Sequence, residues 1–216
     1  MASPSYPPAP WHLRGWGIAT VGLVDARAAL PFVPPDSSVV SVAPGKTVGG
    51  LLFLSYESGS TLVYNELNVI SALVRVGSRV AFYLPRLYVD SPASLAGGRA
   101  IWGVPKLAAA FDVATRGTER SVVVHGPQGD LCTLRATAPR GGIPLPLPMP
   151  AVGTHDDRFL FFTGRMRARL SRTNATVQLP RDGEFAPLGL DRPLFSVWLD
   201  ALTLAVPAPT AVMRSH

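Results

Sequence analysis

A chain of 216 residues with 47% hydrophobic and 16% charged residues can bury a core. It is too apolar and too sparsely charged for a disordered or solvating polymer. Twenty glycines and 22 prolines interrupt it too often for a helical bundle. The single cysteine, Cys132, excludes an internal disulfide framework and a cysteine-based metal cluster. The net charge of +6 invites a nucleic-acid reading, but 18 of the 20 basic residues are arginines spread along the chain, without interleaved aromatics, so no nucleic-acid partner is expected.

The elements, in chain order, begin with a Pro-rich extended arm over residues 1–10. It has neither the basic start nor the apolar stretch of a signal peptide. β-like runs follow at Ile18–Val24, Val39–Val42, Gly50–Tyr56, Thr61–Ile70 and Arg79–Val89. In the second half they fall at Ser121–His125, Leu131–Thr137, Arg158–Phe162, Arg165–Leu170, Ala175–Leu179 and Phe195–Val206. So many short strands with Gly and Pro between them predict antiparallel sheets curled into a barrel or sandwich. Two helices interrupt them. One starts at Asp25 as a cap and stops at Pro31; the other is capped by Ser91, takes Pro92 at its first position and ends at Gly103.

Three further stretches matter. Leu145, Leu147 and Met149 alternate with prolines between Pro144 and Pro150; the segment must be extended and outside the middle of a sheet, either a lid over a cavity or a rigid connector. Arg165, Arg167 and Arg169 share one strand face, a solvated face or an anion-binding stripe. The four histidines show no metal spacing. No run approaches the 20 or so apolar residues of a membrane span, so one cytoplasmic domain over residues 1–216, with no membrane partner, is expected.

Lysine is scarce, with only Lys46 and Lys106. Lys46 sits in a Pro-Gly-Lys-Thr turn signal. Lys106 is held just past the second helix by Val104-Pro105 and followed by Leu107-Ala108-Ala109-Ala110-Phe111, with no carboxylate within five residues. Either its stem packs on apolar surface while the ammonium reaches water, or it sits in a pocket that favours the neutral, nucleophilic amine. A free lysine is overwhelmingly protonated near neutrality, so the second role needs desolvation or a neighbouring cation.

The stretch from Val89 to Lys106, with its Asp90, a short helix, Gly98-Arg99 and Pro105-Lys106, resembles the signature of the acetoacetate decarboxylase family. The Tyr-Pro-Pro-Ala-Pro-Trp opening and Ser60-Thr-Leu-Val-Tyr-Asn-Glu-Leu67 are similar to it as well, and Glu66 precedes Lys106 by about 40 residues. The likeness spans Tyr6 to Phe111. It implies an α+β, mainly β fold of antiparallel sheets closed into a barrel or double barrel with a few short helices. It also implies that Lys106 forms a Schiff base, as the handling of activated lysines in this family suggests, and that Glu66 is the acid facing it. Arg14, Tyr64 and Trp102 are the implied substrate-binding candidates, and Arg99 ties the helix end to a neighbour.

The expected activity is therefore decarboxylation of a small β-keto acid without metal or organic cofactor, in a homo-oligomer. Two departures keep an aldolase, dehydratase, cyclase or non-catalytic ligand barrel open. Leu107 stands where the best-known relatives have a second lysine, and the segment Gly49–Leu54, where a second acid is expected, is uncharged.

Overall fold

In the computed structural model, residues 5–127 and 129–213 are described; Met1–Pro4 of the expected arm and His216 lie outside them. The first half contains β1 (Trp11–Asp25), helix α1 (Ala26–Ala29), β2 (Ser38–Val39), β3 (Lys46–Tyr56), β4 (Tyr64–Ile70), β5 (Ala72–Val76), β6 (Arg79–Tyr83) and β7 (Arg86–Val89). Helix α2 (Pro92–Trp102) leads into β8 (Lys106–Ala108), β9 (Ala110–Arg116), β10 (Glu119–Gly126) and β11 (Gly129–Thr137). The chain continues through β12 (Ile143–His155), β13 (Arg158–Thr173), β14 (Thr176–Gln178), β15 (Phe195–Val206) and β16 (Thr210–Met213).

Twelve strands form one sheet in the order β2-β5-β6-β12-β13-β15-β1-β3-β4-β7-β8, with β16 beside β13; β14-β11-β10-β9 form a second. Mainly β structure with few short helices agrees with the sequence reading. Closure does not: the large sheet begins at β2 and ends at β8, so among the described residues its hydrogen-bonded order is open and the expected barrel is not formed.

Strand β3 shows how two cores arise from one run. Its residues are buried almost continuously, because alternate side chains enter different layers. Leu51 and Phe53 join Leu67, Val69 and Tyr88, packed with Val122, Val124 and Leu134 of the second sheet. Leu52, Leu54 and Tyr56 face the other way, among Trp11, Leu13, Tyr64, Leu87 and Trp102. The candidate site lies in that second layer.

Several boundaries differ from the sequence reading. Arg79–Val89 splits at Leu84–Pro85 into β6 and β7, since proline cannot donate to a ladder. The two runs around Arg158–Leu170 are one strand, β13. The proline-rich segment is not a connector but the first part of β12, and its Met149 and Pro150 line the cavity described below. It pairs with β13 throughout, while β6 reaches it only at Ala151 and Val152, so its prolines sit where one edge of the strand is free.

The helix caps agree with the sequence reading, except that a 3-10 turn over Leu30–Phe32 carries the first helical segment past Pro31. Asp25 accepts from the backbone of Arg27 and Ala28, and the Ser91 side chain accepts from Ser94 N at 3.2 Å. Helix α2 ends at Gly103 in the left-handed region, φ 62°. A Cβ there would lie 2.6 Å from the Thr154 carbonyl oxygen, so glycine lets β12 pass close to the helix end.

Candidate active site

Lys106 is the first residue of β8, reached from β7 by the crossover that carries α2. β7 and β8 are parallel, and such a pair requires a crossover connection. The registers align Leu52, Asn68, Leu87 and Lys106 in one row across β3, β4, β7 and β8. Lys106 is therefore two strands from β4, about 10 Å at the usual spacing. Its long stem crosses part of that gap and the Glu66 side chain meets it.

Lys106 Nζ donates to Glu66 Oε2 at 2.6 Å and to Ser94 Oγ at 2.9 Å, and lies 3.5 Å from the Tyr64 hydroxyl. Both charged side chains are buried, with relative side-chain exposure of 5% and 8%. Glu66 also accepts from Asn68 Nδ2 at 3.1 Å and, at 3.4 Å, from the Tyr64 hydroxyl. Tyr64, Glu66 and Asn68 come together because they alternate along one face of β4. The ammonium also lies 5.1 Å from the centroid of the Tyr64 ring and 5.8 Å from that of Trp11. Burial, then the nearby Glu66 carboxylate, pushes the Tyr56 and Tyr64 phenols well above their usual range, so both remain neutral hydrogen-bonding groups.

Helix α2 builds the other wall. Ser94, Gly98 and Trp102 recur every four residues and so share a face. A Cβ on Gly98 would sit 2.5 Å from Lys106 Cδ, and one on Gly97 2.6 Å from the Trp11 ring. These glycines let the lysine stem and the indole lie against the helix. Arg99 Nε donates to the Lys106 carbonyl oxygen at 2.8 Å, the tie to a neighbour that the sequence suggested. Asp90 accepts from the backbone and side-chain amides of Asn65, joining the helix entry to β4.

The pair faces a cavity of about 110 Å³ lined chiefly by Leu, Val, Ile, Phe, Met and Trp side chains. Four of the five expected site residues meet here: Lys106, Glu66, Tyr64 and Trp102. Arg14 does not. The alternation of β1 turns Trp11 and Leu13 inward and leaves His12 and Arg14 exposed, so Arg14 occupies the outer face with Arg165 and Arg167. Ser94, Asn68 and Tyr56 were missed as members of the site; the four-residue spacing in α2 was the readable signal for Ser94. Where a second acid was expected, Leu52 and Leu54 line the cavity instead.

Fold and site together define a class: a mainly β protein that holds an amine–carboxylate pair in an apolar cavity. The acetoacetate decarboxylase family model matches residues 1–161, and the chain belongs to that family. Among solved structures it is similar to an acetoacetate decarboxylase from Legionella pneumophila, with TM-score 0.67 and 16% identity over 98% of this chain and 92% of that one. It is also similar to the enduracididine biosynthesis enzyme MppR complexed with pyruvate, with TM-score 0.65 and 16% identity over 97% and 91%. These likenesses concern the fold. Protein NEOXANTHIN-DEFICIENT 1 of Solanum lycopersicum is 31% identical over 102 residues, 47% of this chain and 34% of that protein. The Arabidopsis thaliana protein of the same name is 31% identical over 109 residues, 50% and 38% respectively. The matched region thus spans little more than a third of these relatives. No helix among the described residues is long and apolar enough to cross a membrane.

Proposed function

We propose that the protein is a Schiff-base enzyme acting on a carbonyl compound, with Lys106 as nucleophile and Glu66 as proton carrier. The observation that carries this reading is the 2.6 Å contact between the two groups at a mainly apolar cavity. A proton passes from the ammonium to Glu66, and the neutral amine adds to the carbonyl carbon. Glu66 then protonates the hydroxyl of the carbinolamine, which leaves as water and gives an iminium beside the regenerated carboxylate. Ser94 Oγ and the neutral Tyr64 hydroxyl hold the nitrogen in place during these transfers.

The iminium is an electron sink. From a β-keto acid, the bond to the carboxyl carbon would break, carbon dioxide would leave, and its electron pair would form an enamine. Glu66, once it has taken up a proton from water, would protonate the enamine carbon and return the iminium for hydrolysis. From an aldehyde or ketone without that carboxylate, the Glu66 carboxylate would instead take an α-proton from the iminium, and the resulting enamine would serve carbon–carbon bond formation or dehydration. Leu52 and Leu54 in place of a second acid favour this second use. MppR shows that this fold also occurs in a biosynthesis enzyme. A reducing, cytoplasmic setting suits the buried free thiol of Cys132.

Borohydride reduction in the presence of small ketones and keto acids tests the reading. A mass gain of the reduced adduct on the peptide containing Lys106 is the expected result. No adduct at Lys106 with any of them, together with ligand affinity unchanged in Lys106→Ala, would instead indicate a non-catalytic ligand-binding protein.

A further inference from the structure

We propose that the substrate is an uncharged, mainly apolar carbonyl compound, and not a keto acid. The inference deepens the Schiff-base reading and rests on it for the chemistry, but the cavity's preference for charge can be measured separately.

A keto acid brings a carboxylate that must find a cation or several donors when it leaves water. Among the described residues lining the cavity, Lys106 is the sole cation, and it is already paired with Glu66. The guanidinium groups nearby in sequence or space are committed elsewhere. Arg99 Nε binds the Lys106 carbonyl oxygen, Arg86 pairs with Glu184 at 2.7 Å, and Arg14 lies on the outer face.

The neutral donors are engaged too: the Tyr64 hydroxyl donates to Glu66 Oε2 at 3.4 Å, and the Tyr56 hydroxyl is hydrogen-bonded with Glu66 and Tyr64. The indole N–H of Trp11 donates to the Pro7 carbonyl oxygen and that of Trp102 to the Pro207 carbonyl oxygen. The Asn68 amide donates to Glu66 Oε1 and to the Leu52 carbonyl oxygen. What these residues offer a ligand is carbon surface.

Charge counting leads to the same place. With an uncharged carbonyl compound the site is neutral at every step, first as ammonium and carboxylate, then as amine and carboxylic acid, then as iminium and carboxylate. A keto acid would add one uncompensated negative charge to each of these states.

Two ligands of equal heavy-atom count isolate the variable: 5-methylhexan-2-one and 4-oxopentanoate. Borohydride trapping on Lys106 in the native protein should be at least tenfold faster with the ketone at equal subsaturating concentration. Their alcohols, 5-methylhexan-2-ol and 4-hydroxypentanoate, cannot form imines, and calorimetric titration should show the uncharged one binding at least tenfold more tightly. Equal or faster trapping of 4-oxopentanoate, or equal or tighter binding of 4-hydroxypentanoate, would overturn the proposal while an adduct on Lys106 left the Schiff-base reading standing. No adduct from either carbonyl compound, with the uncharged alcohol still preferred, would overturn the Schiff-base reading and support the charge preference. Absence of both adduct and binding would overturn both.

Discussion

Gly98 carries an unusual demand for a helix interior. Alanine normally favours a helix over glycine by about 1 kcal/mol, yet at Gly98 a Cβ would press on Lys106 Cδ and Cε at 2.5 and 2.6 Å. The lysine stem must then move, taking Nζ off Glu66 and Ser94. Gly98→Ala should reduce the rate of adduct formation at Lys106 at least tenfold while far-ultraviolet circular dichroism stays native. Unchanged trapping kinetics would mean that the stem has room the structure does not show. Glu66→Gln tests the pair itself. It leaves a buried ammonium without its carboxylate, a change that costs on the order of 3–5 kcal/mol in buried pairs. Denaturant titration should show that loss, and the double variant Glu66→Gln/Lys106→Met should recover most of it. A double variant no more stable than Glu66→Gln would show that the two groups contribute independently.

At the scale of elements, local patterns were legible and pairings across the chain were not. Ser91-Pro92 and Gly103 mark both ends of α2, because caps and breakers act within a few residues. Glu66 was legible as a site residue from the resemblance, whereas Asn68, on the same face of β4, carries no chemistry of its own to mark it. Strand alternation in Trp11-His12-Leu13-Arg14 separates Arg14 from the cavity, a signal outweighed by the family likeness. The position of β1 between β15 and β3 has no local signature, because it depends on partners far along the chain. Nor does the open order of the large sheet.

The second sheet offers an element-scale test. His125 on β10 bridges β9 and β11, with Nε2 3.0 Å from Asp112 and Nδ1 2.6 Å from Asp130. Hydrogen bonding, first with Asp112 and then with Asp130, holds the imidazole above its usual value. A raised folded-state value means the stabilisation is complete below the ordinary histidine range and disappears as pH rises through the raised value. His125→Asn should therefore lower the thermal midpoint at about pH 5.5 and have little effect at about pH 8.5. The gap should shrink with salt, because the groups are exposed. A gap that widens toward alkaline pH would contradict this assignment.

For the whole molecule, the two-faced burial of β3 makes it the spine on which both cores depend. Its amides from Leu51 to Leu54 should be among the slowest in hydrogen exchange, and those of β9, an edge strand with mostly exposed residues, among the faster ones. Comparable exchange in the two strands would count against a shared core. We propose, from the family, assembly into at least a dimer, which light scattering at micromolar concentration would contradict by showing a monomer.

Oxygen exchange tests whether Lys106 and Glu66 make and hydrolyse an imine in the cavity. Each cycle expels the carbonyl oxygen as water and returns one from solvent, so 5-methylhexan-2-one in ¹⁸O-water should gain the label at a rate proportional to enzyme. Lys106→Met should abolish that catalysis and Glu66→Gln should slow it by about 10²-fold or more, the usual range for a positioned proton carrier. Exchange at the uncatalysed rate with the native protein across a panel of ketones, or undiminished exchange in Lys106→Met, would contradict the account.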